Sequence, residues 1–307
     1  MSQLKSYAYG LIIGFLLCQC DQQASSQAGL KQPGLYESQD FKNYWYAGKA
    51  EINSYTLDQA RYGETRYGKA MLIFVTEDFS KKKQVKLDEP DKAREDKISV
   101  LKMNFTKNFV TGIYPYSMML SVFTPISRNQ SPNTLKATMS SQEWCGHVFS
   151  QMNLAANKYS VESYSYFEQE GDLKFSLDKT LLEDELWNRI RLDPENLPEG
   201  KFKLIPGLFY TRLKHTDLKV LEVTGSTSDE GDDIKYTITY PDRKLSIRYQ
   251  KKFPHQIIGW EEQFEEWGKP AYTKATLDKT LYIDYWKKNK NENLFLRDSL
   301  DLSPNNY

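Results

Sequence analysis

From Lys49 onward the chain is written in short alternating runs, apolar then polar, with turn residues between them. In "YSVESYSYF" Val161, Ser163, Ser165 and Phe167 take one face, and Ser160, Glu162, Tyr164 and Tyr166 take the other. A period of two is the mark of a β-strand. Runs of this kind recur in "KAEINSYTL", "ISVLKMNFTKNFVTG", "YSMMLSVFTPIS", "LKVLEVTGS" and "KPAYTKATLDKTLYIDYW". They follow one another through short turn signals with no helix between them, so the strands must pair antiparallel. "RYGETRYG" and "YPDRK" read as hairpin turns, and "SDEGDD" (228–233) as a turn without calcium-loop spacing. "KKKQVKLDEPDKAREDK" is nearly all charge and reads as a solvated loop. One helix stands out, "TLLEDELWNRIRL", with Thr180 and Glu183 at capping-box spacing and Leu182, Leu186 and Ile190 on one face.

The expected fold is therefore mainly β. It is a large curved antiparallel sheet or incomplete barrel of about 11–12 strands with one main helix, because a sheet that wide must curl, close or split. The helix is expected to cover an end or the concave face. Aromatic residues make up 14% of the 307, with 21 Tyr, which fits strands. Lys plus Arg and Asp plus Glu are both 41, so no global field draws the chain to nucleic acid, and none is expected as a partner.

The N-terminus reads as an export signal. Lys5 precedes the apolar run Leu11–Leu17, which is too short to cross a bilayer, and cysteine follows. This order resembles a bacterial lipoprotein signal, with Cys20 the lipidated residue. Leu17 stands three residues before it, although Gln19 takes the place where such signals carry a small residue. A plain signal peptide or an uncleaved anchor are the other readings. The expected organisation is a signal over 1–20, a Gln/Ser/Gly-rich tether over 21–40, one β domain over 41–288 and a polar tail over 289–307. The expected location is the outer membrane, on its periplasmic or surface face, held there by lipid. Cys145 is then the one cysteine left in the domain. A lone exposed thiol is a liability in an oxidising compartment, so Cys145 is expected to be buried.

"QEWCGHVFSQMNL" holds the one constellation of reactive types. On a continuous strand, Glu143, Cys145, His147 and Phe149 share a face, with the Cα atoms of Cys145 and His147 about 6.5–7 Å apart. Trp144, Gly146, Val148, Ser150, Met152 and Leu154 take the other, deeper face. Cys145 with His147 as base and Glu143 as orienting group is a candidate thiol-hydrolase arrangement. Against it, a buried thiol beside a hydrogen-bonded histidine needs no function. A metal site would want three or four ligands, and His215 and His255 lie in no ligand motif. No Gly-rich phosphate loop, His-Glu-x-x-His or Gly-x-Ser-x-Gly occurs, so no metal or cofactor is expected. "WEEQFEEW" (260–267) reads as a solvated edge. "GIYPYSMM" (112–119) places Tyr114 and Tyr116 in a turn around Pro115, where exposed tyrosines with Trp45 could hold sugars.

The segments "YWYAGKAEINSYTLDQARYGETRYGKAMLIFVTEDF", "TGIYPYSMMLSVFTP", "QEWCGH" and "SYFEQEGD" together resemble a family of Bacteroidetes lipoproteins whose members often carry the label "septum formation inhibitor Maf". Genuine Maf enzymes are smaller cytoplasmic nucleotide pyrophosphatases of α/β fold that open with Ser-x-Ser-x-Arg-Arg. This chain has no Arg-Arg pair. The resemblance implies an envelope lipoprotein and supplies no activity. At the level of architecture the chain also resembles curved-sheet periplasmic carriers of lipids and lipoproteins. The resulting expectation is a non-enzymatic envelope lipoprotein binding an apolar ligand, such as a lipid or lipoprotein, or an envelope partner. A thiol hydrolase and a surface glycan binder are the alternatives.

Overall fold

A computed structural model describes residues 38–128 and 131–302. The signal, Cys20 and most of the tether lie outside the described residues. The chain opens with α1 (Gln39–Trp45), whose N-cap Ser38 accepts the Phe41 N–H. Eight strands follow: β1 (Ala50–Arg61), β2 (Glu64–Ser80), β3 (Lys97–Thr111), β4 (Tyr114–Pro125), β5 (Lys136–Glu143), β6 (Gly146–Ala155), β7 (Lys158–Ser165) and β8 (Leu173–Asp178). Then come β9 (Leu181–Leu182), α2 (Glu183–Leu192), β10 (Gly200–Ile205) and α3 (Leu208–Lys214). β11 (Leu221–Glu230), β12 (Asp233–Thr239), β13 (Arg243–Gln250), β14 (Ile257–Glu266), β15 (Lys269–Ile283) and α4 (Phe295–Asp298) complete the chain.

All the strands join one fifteen-stranded sheet in the order β8-β7-β6-β5-β4-β3-β2-β1-β15-β14-β13-β12-β11-β10-β9. Every pairing is antiparallel except β9 with β10. The mainly β, unclosed antiparallel architecture expected from the sequence is present. The strand number exceeds 11–12 in part because segments 133–154 and 158–177 each fold back as a hairpin.

The sheet curls tightly. β3 and β14 are four strand spacings apart, about 19 Å along a flat sheet. Yet the rings of Phe105 on β3 and Trp260 on β14 lie 5.1 Å apart, with Trp187 of α2 against both. The two sheet edges also meet. β8 and β9 sit at opposite ends of the strand order, but only Lys179 and Thr180 separate them, which limits the gap to about 11 Å. A short covalent link thus takes the place of hydrogen-bonded closure, and the seam stays open beyond it.

α2 fills the curl. All ten of its residues are buried, including Glu183, Asp184, Glu185, Arg189 and Arg191. The expected capping box is absent. Leu182 is the N-cap with no side-chain bond, the Thr180 hydroxyl donates to the Lys203 carbonyl, and Glu183 turns to Arg243. A helix held inside a curl has no solvated face, so its charged side chains pair with the wall. Within the segment read as a polar tail, Leu300 is buried against Ala50, Ile52, Met71 and Val75 on the outer side of the sheet.

Candidate ligand groove at the open seam

The Cys145 constellation does not lie on a strand. β5 ends at Glu143 and β6 starts at Gly146, so Trp144 and Cys145 form a hairpin turn, which corrects the continuous strand expected there. Cys145 is exposed, not buried. Glu143 is buried and its carboxylate accepts the Cys145 N–H at 2.9 Å, fastening the turn. Its hydrogen bonding and then its charge push the Cys145 thiol up, the opposite of nucleophile activation. His147, the second residue of β6, lies on the exposed outer face. The turn therefore brings the three residues close in sequence but does not assemble base, nucleophile and orienting group. On the face expected to be the deeper one, Val148, Ser150 and Met152 are all buried. Tyr114, Pro115 and Tyr116 begin β4 rather than forming the turn, whose tip is Gly112–Ile113. Tyr116 is buried, and so is Trp45 in α1.

Buried charge inside the curl forms two clusters that sequence reading missed. Arg191 of α2 grips Glu51 of β1 through two 2.5 Å bonds, both side chains 0% exposed. Tyr44 and Asn53 also donate to Glu51. Nearer the start of α2, Arg243 binds Glu183 at 2.5 and 2.8 Å and Glu262 at 2.5 Å, and Tyr240 donates to Glu183. Glu262 comes from the segment expected as a solvated edge. In β14 it alternates inward with Trp260 and Phe264, and the pleat rather than composition decides its burial. Burial, with Glu183 next to it, pushes the Asp184 carboxyl up to about 8, and it accepts the Leu208 N–H at the start of α3. Desolvation lowers the nearby Lys107 ammonium, which donates to Gln59 at 3.2 Å. The space beside this cluster holds about 20 Å³, too little for a substrate. Its groups hold helix to sheet.

The hollow lies at the seam. A groove of about 820 Å³ runs between the inner face of β5–β8 on one side and α3 with residues 215–218 on the other. Met139, Val148, Val161, Phe175 and Leu208 give it apolar walls. The alternation read from "YSVESYSYF" places Val161, Ser163 and Phe167 along it, while Tyr164 and Tyr166 face outward, exposed. Ser150 and Ser163 satisfy each other at 2.8 Å on its wall.

A cluster of hydrogen-bonded polar side chains is part of the groove's lining. His215 closes α3 in the left-handed region (φ 52°), and its Nδ1 lies 2.6 Å from Glu170. Arg212 lies 3.4 Å from the same oxygen and 4.4 Å over the Phe167 ring. Its side chain is 3% exposed, its Nε–H has no acceptor among the described residues, and burial lowers its pKa. Ser165 donates to the other Glu170 oxygen at 2.5 Å. A hydrolase triad needs the hydroxyl on the imidazole; here serine and histidine both bind the carboxylate, so the hydroxyl is not activated. The cluster suits orientation of a ligand's polar end.

A second hollow of about 710 Å³ lies on the outer side of the sheet under the C-terminal segment, walled by Ile52, Met71, Ile73 and Leu281. Among the described residues no three His, Cys, Asp or Glu side chains are grouped to hold a metal ion. No helix among them is long and apolar enough to cross a membrane. The chain matches no protein-family model, no curated protein and no solved structure.

Proposed function

We propose that this protein is a non-enzymatic lipoprotein of the cell envelope, anchored through Cys20, that holds an elongated apolar ligand in the seam groove. The single observation behind this reading is the groove itself: about 820 Å³, with Met139, Val148, Val161, Phe175 and Leu208 as apolar walls beside the polar cluster of Glu170, Arg212 and His215. Small-ligand sites have this volume and this division of lining. The apolar walls take an acyl chain or a comparable body. Arg212 and His215 in the lining take an acidic or hydrogen-bonding polar end. The thiol-hydrolase alternative has less support, because Cys145 stands in an outer turn with a raised thiol pKa.

The test is binding of a fluorescent polyene fatty acid to the full chain. Saturable binding is expected. Ser163→Phe, which fills the hollow from its wall, should abolish it, with the melting curve showing that the variant folds. A parent protein that binds no probe, or a filled variant that binds as well as the parent, overturns the groove reading.

A further inference from the structure

The β1–β2, β3–β4, β5–β6, β7–β8 and β14–β15 connections all lie at one end of the sheet, since each follows a strand running the same way. Four of their tips carry large apolar side chains facing solvent: Ile113 81% exposed, Trp267 74%, Trp144 68% and Tyr166 68%. These tips are joined. Trp267 stacks on Tyr62, whose hydroxyl meets that of Tyr116 at 2.9 Å. Tyr114 lies between Tyr116 and Trp144, at 5.9 and 6.4 Å. Tyr166 packs over Gly146, where a Cβ would fall 2.4 Å from its ring, and touches Phe167. The result is an aromatic arc that ends in the wall of the groove. The β2–β3 connection at the other end is the charged run 81–96.

Two of these tips hold their aromatic at a cost. The turns Tyr62–Gly63 and Trp267–Gly268 connect strands through two residues of positive φ, with Tyr62 at 57° and Trp267 at 53°. Asn or Asp is the favoured residue there, and a bulky aromatic is an outlier. Such strain persists where the side chain is needed.

We propose that this rim is a lipid-contact surface, seated at the headgroup–acyl boundary of an electrically neutral bilayer. Trp and Tyr, with an apolar ring and a polar tip, concentrate at that boundary. Ile113 separates lipid from carbohydrate, because the most exposed of the four tips is an aliphatic side chain that offers a sugar neither a stacking face nor a hydrogen bond. The charges around the arc pair among themselves, Arg66 with Glu64 and Lys214 with Glu266, so no cationic cluster selects anionic lipid. α1 packs at the opposite end, where the Trp45 carbonyl accepts from Thr76. The rim is thus a contact separate from an anchor on the segment preceding α1. This inference goes beyond the ligand reading and does not depend on the groove being filled.

The test uses the full chain with Cys18→Ser and Cys20→Ser, leaving Cys145, in the middle of the rim, as its one thiol. A polarity-sensitive fluorophore on Cys145 should shift to the blue when phosphatidylcholine vesicles are added, and raised salt should not reverse the shift. Trp267→Asn suits its turn geometry and should fold at least as well, while weakening the vesicle response about tenfold. Ile113→Asn should do the same. A label that stays water-like with vesicles overturns the proposal, as does a shift unaffected by both substitutions. So does a shift produced by soluble peptidoglycan fragments or polysaccharide alone, which marks a glycan surface. A shift that grows with protein concentration without vesicles marks a second copy and overturns it equally.

Discussion

Replacing Glu51 with Gln tests whether buried charge fastens the helix inside the curl. In the parent, Arg191 is 0% exposed and gives both Nη groups to Glu51, and its Nε–H goes to the Pro254 carbonyl. The substitution keeps the volume, removes one charge and turns one of the two accepting oxygens into a donor facing Arg191, so the guanidinium is left buried without a counter-ion. Breaking such a pair from one side costs about 3–5 kcal/mol. That is a large part of the roughly 5–15 kcal/mol that separates a folded domain from its unfolded chain. At about 2–4 °C per kcal/mol for a domain this large, the melting temperature should fall by roughly 6–20 °C. The pH dependence gives an independent signature. Burial raises the Glu51 carboxyl, but the charge and hydrogen bonds of Arg191, with those of Tyr44 and Asn53, outweigh it and hold the group below its ordinary range. A depressed folded value adds stability above the unfolded pKa of about 4.3, and that stability is lost as the pH falls from there through the folded value. Calorimetry from pH 3 to 7 should therefore show a shallower acid limb in Glu51→Gln than in the parent. The double variant Glu51→Leu with Arg191→Met should recover most of the loss, since an apolar pair of similar volume replaces a buried ion pair at little cost. If the single variant melts within about 2 °C of the parent, the buried pair does not fasten the helix.

Asp184→Asn should act in the opposite sense. With the carboxyl raised to about 8 in the folded state, the parent loses stability from this group as the pH climbs from about 4 to 8, so the variant's relative stability should grow over that window in denaturant titrations. A difference that stays constant with pH would remove Asp184 from the account. Cys145 should react with a thiol reagent in the native protein, and Glu143→Gln, by lowering the thiol pKa, should make the reaction severalfold faster at pH 7.5. Labelling seen only after denaturation would contradict the turn described for residues 143–146.

What could be read from the sequence alone was whatever depends on neighbouring dihedrals. The period of two in "YSVESYSYF" marks a strand and sorts Val161 and Ser163 from Tyr164 and Tyr166 because successive side chains point to opposite faces whatever the strand pairs with. "RYGETRYG" marks its hairpin, and the succession of such runs without helices between them marks an antiparallel sheet that must curl. The same local logic fails at Trp144 and Cys145, where one two-residue turn interrupts the alternation and moves the thiol from an expected core to the surface. Nor does it reach the partners of the charges in "EDELWNRIR". Only enclosure by the sheet decides that Glu183 meets Arg243 sixty positions away, or that Arg191 meets Glu51 across 140. The groove and the rim belong to the same class. The groove exists because α3 and residues 215–218 lie over the inner face of β5–β8, and the rim because tips from residues 62, 113, 144, 166 and 267 end on one side. Strand order, register and curl set these meetings, and each is a long-range quantity that no window of adjacent residues contains.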